Sequence, residues 1–296
     1  MSPGEDAEAW IRTHVQPAGA IELVLARPWG TVLRVPVAGG VAWFKACAPI
    51  QEFEPRLTAA LASRWPDRLP EVLAHNEEHG WLLLGDAGEP LGIGGDPAPW
   101  LDLLPRYAEL QRDEAARADE HLAGGVPDRR LARFPALYEA MLAHALPLSS
   151  GELARLRAFT SRFVELCLEL AARGIPETIQ HDDLHGANIY RRDGRLRILD
   201  WGDSCVSHPF RTLYVTFEHL FLPRGDPWLA RLRDAYLEPW GQPAELRETF
   251  ALAERLGPFG HVFKSLPLLD TIPKPEQPQY LPDLAPTLAD CAAAAG

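Results

Sequence analysis

The sequence predicts an α+β fold with a β-rich N-terminal lobe, residues 1–86, followed by a larger helical lobe, residues 87–296. Two observations carry that division. Apolar, β-favouring runs separated by turn residues crowd into the first lobe, and beyond Gly88 apolar residues recur at helical spacing. A third observation is local. One Asp-Gly hairpin, "RRDGRLRILD", interrupts the helical half and sits among polar residues of unusual density.

The elements follow in order. Residues Glu5–Val15 read as a short helix. Strands are expected at Ile21–Leu25, Thr31–Val37 and Val41–Ala46, separated by "RPWG" and "AGG". Pro36 has no amide donor, which predicts an edge position or a bulge. In "EPRLTAALASRW", Leu57, Leu61 and Trp65 share a helical face, and "LPEVLAHNEEHGWLLLGDAG" supplies two strands around a turn near Glu77–Gly80. The segment "EPLGIGGDPAPW" reads as loop. "WLDLLPRYAELQRDEAARADEHL" and "SGELARLRAFTSRFVELCLELAARG" are amphipathic helices, the second capped by Ser149 or Ser150. From Arg211 onward, further helices broken by Pro and Gly are expected.

Composition narrows the function classes. At 47% hydrophobic and 24% charged the chain is an ordinary globular protein, long enough for a large core. Neither a signal peptide nor a membrane span is expected. Cys47, Cys167, Cys205 and Cys291 are far apart with no CxxC pair, so a reducing cytoplasm is the simplest location. The net charge of −12 argues against nucleic acid as a partner and suits a cationic one.

The hairpin brings distant residues together. Folding about Asp193-Gly194 sets Arg192 opposite Arg195, Tyr190 opposite Arg197 and Asn188 opposite Leu199. Asp200 then lies one rung beyond Asn188, and an Asn beside an Asp offers oxygen ligands suited to Mg²⁺. A solvated hairpin with ordinary surface acids would not account for His181, Asp183 and His185 leading straight into Asn188.

Lys45 shares a strand face with Val41 and Trp43. In so apolar a strand it either snorkels to solvent or meets an acid or a bound anion. Glu54 and Glu52, near the start of the next helix, are the candidate acids.

A strand Lys, a helix Glu, a "HDDLHGAN" loop and an Asp after a hairpin, in this order, are the parts of a kinase-like phosphotransfer site. "HDDLHGAN" (His181–Asn188) with "ILDWGD" (Ile198–Asp203) resembles the aminoglycoside phosphotransferase family, related to choline kinases and protein kinases. The resemblance spans nearly the whole chain and implies a bilobal, protein kinase-like fold and an ATP- and Mg²⁺-dependent transfer to a hydroxyl of a small molecule. It implies Asp183 as the catalytic base or orienter, and Asn188 and Asp200 as ligands of Mg²⁺. Lys45, steadied by Glu54, would contact the ATP phosphates. Leu84, Gly85, Asp86 and Ala87 would form the linker that reads adenine.

Two departures stand out. The loop over the phosphates, containing Trp29, Gly30 and Thr31, has one glycine in place of GxGxxG. Thr212 occupies the position where the family often has an Asp. "GIGG" at Gly92–Gly95 lacks the strand and helix that a phosphate loop needs. Cys205 and His208 read as structural, and Trp201 as packing beside the metal ligand. Asp203, Glu218 and Asp226 are candidate cation binders. A pseudoenzyme using the fold for regulation is the alternative from another class, and the intact Lys, Asp, Asn, Asp set argues against it.

Overall fold

The structure is a computed structural model and describes residues 4–295. The chain forms two compact units. Of the described residues, the first comprises 4–93, 123–126 and 185–203, and the second the remainder.

The first unit opens with helix α1 (Glu5–His14), whose first turn is acidic and last turn basic, matching the helix dipole. Five strands follow: β1 (Glu22–Arg27), β2 (Gly30–Val37), β3 (Gly40–Cys47), β4 (Val72–Asn76) and β5 (Trp81–Gly85). They form one antiparallel sheet in the order β1-β2-β3-β5-β4, with α2 (Glu54–Arg64) between β3 and β4 in the chain. The strand alternation sorts the residues. Leu33, Val35, Ala42, Phe44 and Leu83 form a core with Ala7 and Ile11 of α1. Val32, Trp43 and Lys45 alternate with them and line a cavity, which Phe44 also borders.

Pro36 corrects one expectation, because β2 is an interior strand without a bulge at that point. The pairing with β1 begins at Arg34, so Pro36 lies past its end and no donor is missed on that side. The segment after Gly88 also differs from a pure loop. Strand β6 (Glu89–Pro90) pairs with the hairpin, two residues long and ending at a proline.

The second unit is helical apart from β7 (Thr178–Gln180) and the last strand of the chain, with which it pairs. Its helices are α3 (Trp100–Glu114), α4 (Ala118–Ala123), α5 (Phe134–Ala143), α6 (Ser150–Ala171), α7 (Leu213–Leu220), α8 (Pro227–Leu237), α9 (Pro243–Asp270) and α10 (Leu281–Ala294). Ser149, not Ser150, caps α6 through a capping box with Glu152. An aromatic cluster of Phe134, Tyr138, Phe163, Phe259 and Phe263 joins α5, α6 and α9. Pro258 and Pro267 do not break α9, which runs for 28 residues. Its face is buried where Gly257 meets Tyr214 and Gly260 meets Arg211, and that packing offsets the lost backbone bonds. Among the described residues no helix is long and apolar enough to cross a membrane.

The remaining strands are β8 (Ile189–Arg192) and β9 (Arg195–Ile198), which form the hairpin of the first unit, and β10 (Cys205–Ser207), the partner of β7. The hairpin register is Tyr190 with Arg197 and Arg192 with Arg195, as the Asp-Gly turn predicts. Asp193 and Gly194 both have positive φ, the signature of a type I′ turn. The amide of Leu199 donates to the Asn188 carbonyl at 2.9 Å, which extends the ladder by one rung.

Candidate active site

In the first unit the sheet face and the open end of the hairpin line one cavity of about 320 Å³. Lys45, Glu54, Asn188 and Asp200 all border it, with Trp43, Leu84 and Ala87. Lys45 Nζ lies 2.6 Å from Glu54 Oε2 and 2.6 Å from Asp200 Oδ1. Burial works against the ammonium, but Asp200 and then Glu54 hold its pKa well above the usual lysine value. Of the two glutamates that the sequence leaves open, Glu54 makes the contact and is almost wholly buried, whereas Glu52 is exposed. Lys45 therefore does not snorkel freely.

The neighbours of Glu54 fix its place. The Cys47 thiol donates to Glu54 Oε2 at 3.2 Å, and burial pushes that thiol's pKa up, reinforced by the glutamate. A Cβ on Gly202 would come within 2.7 Å of the same oxygen, so "DWGD" needs a glycine there. Asp203 accepts from Gln51 Nε2 at 2.8 Å, and Trp201 is fully buried after Asp200. Asp200 itself holds φ of 62°, an unusual conformation for a non-glycine residue. Its half-exposed carboxylate and the Asn188 amide border the same cavity, and this all-oxygen donor chemistry suits Mg²⁺. Trp29 lies in the tight turn between β1 and β2, Gly30 begins β2 opposite Arg27, and Thr31 follows it in the strand. Gly92 braces the hairpin loop: its amide donates to the Gly186 carbonyl at 3.0 Å, and a Cβ on Gly186 would run into Gly92.

In the second unit, Asp183 borders a cavity of about 430 Å³ with Tyr214, Glu218, His261, Lys264 and Asp283. Lys264 Nζ, from α9, lies 3.0 Å from Asp183 Oδ1. Next to it, Asp182 is buried at φ 60° and held by Arg211 at 3.0 Å and Arg129 at 3.2 Å. Burial alone would raise the Asp182 pKa, but Arg211 and Arg129 bring it down to about 2. The His181 amide donates to the Tyr107 hydroxyl at 2.9 Å, and Thr212 donates to the same oxygen at 3.4 Å. Thr212 thus braces the loop through Tyr107.

His208 is buried and His261 half-buried, and both are held uncharged. Burial, helped by Arg211 for the first and Lys264 for the second, lowers both to about 3. Burial lifts the Cys205 thiol to about 12, so Cys205 and His208 are not a nucleophile pair. Of the three acids named as cation binders, only Glu218 faces the cavity. Asp226 caps α8 by accepting from the Trp228 amide, and Asp203 is held by Gln51.

Sequence reasoning missed Lys264, Arg129, Arg211 and Tyr107. One signal was present for the first: only three of the 29 basic residues are lysines, Lys45, Lys264 and Lys274.

No curated protein shows significant similarity to the chain. The solved structures that it matches show its fold. A macrolide 2′-phosphotransferase from Brachybacterium faecium superposes with a TM-score of 0.62 at 17% identity, covering 98% of this chain and 97% of that one. A choline kinase from Streptococcus pneumoniae gives 0.62 at 14%, covering 96% and 99%. The GDP complex of an aminoglycoside 2′-phosphotransferase of type IIIa gives 0.64 at 16%, covering 98% and 99%. These are kinase-like folds, with a β-sheet N-terminal region and a helical C-terminal part. The profile of the phosphotransferase enzyme family, APH, matches residues 92–248, more than half of the chain. On that match, the chain belongs to the phosphotransferase enzyme family and is an enzyme of the small-molecule kinase type.

Proposed function

We propose that this enzyme transfers the γ-phosphate of ATP, with Mg²⁺, to a hydroxyl of a small, cationic molecule. The observation that carries the reading is the convergence of Lys45, Glu54, Asn188 and Asp200 on one cavity. Phosphoryl transfer asks a protein for positioning and charge neutralisation more than for covalent chemistry, and this set supplies both.

The geometry and the family membership support the following roles. Lys45, oriented by Glu54, binds phosphate oxygens. Asn188 and Asp200 would hold Mg²⁺, which would supply neutralisation of the charge developing on the transferred phosphate. Trp29, Gly30 and Thr31 cover the phosphates with backbone groups, and Leu84–Ala87 reads the base. Residues 1–86, supplemented by the hairpin, serve as the nucleotide lobe, and the rest of residues 87–296 takes the acceptor. Asp183 accepts a hydrogen bond from the incoming hydroxyl and aligns it. Glu218 and Asp283 make the surrounding cavity acidic, which favours an amine-bearing alcohol. The cytoplasm suits this chemistry, because all four cysteines are free thiols and ATP is available there.

A coupled ADP assay with ³¹P spectroscopy, run across aminoglycosides, amino alcohols and sugars, tests the proposal. Phosphorylation of at least one acceptor, abolished by EDTA, is the expected result. Tight MgATP binding with no acceptor phosphorylated would favour a regulatory pseudoenzyme.

A further inference from the structure

We infer that Lys264 is a positioning residue for the transfer, acting through Asp183. The inference rests on the proposed role of Asp183. Lys264 lies outside "HDDLHGAN", 81 residues downstream on α9, yet its ammonium meets Asp183 Oδ1 at 3.0 Å. It is only 7% exposed, so the cation is taken out of water on a helix otherwise rich in apolar residues. A buried charge of that kind is costly unless a partner compensates it.

The helix is shaped to bring the cation there. Gly257, Gly260 and Lys264 recur at three- and four-residue spacing and so share one face of α9. Gly257 and Gly260 leave no room for side chains against Tyr214 and Arg211, so the helix axis comes close to the loop that carries Asp182 and Asp183. Arg211 anchors the backbone through Asp182, and Lys264 fixes the neighbouring carboxylate. Arg211 and Arg129 are thus the main partners of Asp182, to which Lys264 adds a weaker attraction, while Lys264 contacts Asp183 directly.

Residue choice points the same way. Basic positions in this chain are arginine almost throughout, yet lysine stands at the two positions paired with Asp200 and Asp183. A compact ammonium takes one carboxylate oxygen as a point charge, whereas a guanidinium fork engages both. An ammonium on Oδ1 sets the plane of the carboxylate while leaving the group able to accept a hydroxyl proton at a defined place.

Lys264→Met, Asp183→Asn and the double variant test this, with MgATP and the acceptor found by the screen above. Lys264→Met should lower kcat by about 10- to 100-fold, the scale of a misaligned reactant, with KM for ATP within about twofold. In the Asp183→Asn background it should cost almost nothing more, because residues acting as a unit are not additive. Unchanged kcat in Lys264→Met, or losses that multiply in the double variant, would overturn the inference. A wild type that phosphorylates no acceptor would instead sink the proposed activity. The geometric half needs no acceptor: in a crystal structure of Lys264→Met, the Asp183 carboxylate should leave its place while the His181–Leu184 backbone stays. A carboxylate that does not move would refute the positioning role.

Discussion

Replacing Glu54 by Gln keeps the shape of the side chain and removes its charge. The glutamate is 1% exposed and its oxygen lies 2.6 Å from the Lys45 ammonium. Breaking a buried ion pair by removing one partner typically costs about 3–5 kcal/mol. Here the loss is smaller, because Lys45 keeps Asp200 at 2.6 Å and Asp200 is the stronger of its two carboxylate partners. An amide oxygen also still accepts from Lys45 and from the Cys47 thiol. About 2 kcal/mol is expected on these grounds, a fall in Tm of about 4–8 °C. Lys45 then turns wholly to Asp200, so KM for ATP should rise as well. Differential scanning calorimetry and ATP titration on Glu54→Gln and Glu52→Gln separate the two glutamates. The exposed Glu52 should change stability by less than about 0.5 kcal/mol. An unchanged Tm and KM in Glu54→Gln, or an equal effect from Glu52→Gln, would refute the pairing as the organiser of this site.

Three further outcomes are expected. Asp183→Asn should lower kcat by at least about a hundredfold with ATP affinity little changed; normal single-turnover rates in a stably folded variant would remove it from the chemistry. Asp200→Asn should weaken MgATP binding and alter its metal dependence, checked by calorimetric titration against Mg²⁺ and Mn²⁺; wild-type affinity and metal preference would exclude it as a ligand. His208, lowered to about 3 by burial and Arg211, binds its proton more readily in the unfolded chain. Its contribution to stability is therefore lost as pH falls below about 6.5, amounting to about 3 kcal/mol by pH 4.5. Tm should fall less steeply between pH 7 and 4.5 in His208→Asn, and an unchanged slope would count against a neutral buried imidazole.

Local rules alone determined a large part of this protein. The Asp193-Gly194 turn dictates the register that brings Asn188 and Asp200 to one end, because a two-residue type I′ turn permits one pairing. Strand alternation likewise separates Phe44, fully buried in the core, from Lys45, whose ammonium meets Glu54 and Asp200 on the other face, since successive side chains point to opposite sides. The "HDDLHGAN" and "ILDWGD" motifs are short local stretches, legible without any knowledge of the fold, and both lie within the residues that the family profile matches. What only the tertiary structure decided are contacts between residues far apart in the chain. The choice of Glu54 over Glu52 depends on how α2 is seated against the sheet, not on either residue's own preference. Pro36 sits in an interior strand because β1 ends before reaching it. Helix α9 survives two internal prolines because its buried face offsets their cost. Lys264 reaches Asp183 for the same reason: glycines placed against Tyr214 and Arg211 let the helix approach, and no periodicity in the sequence reports what a helix face will meet.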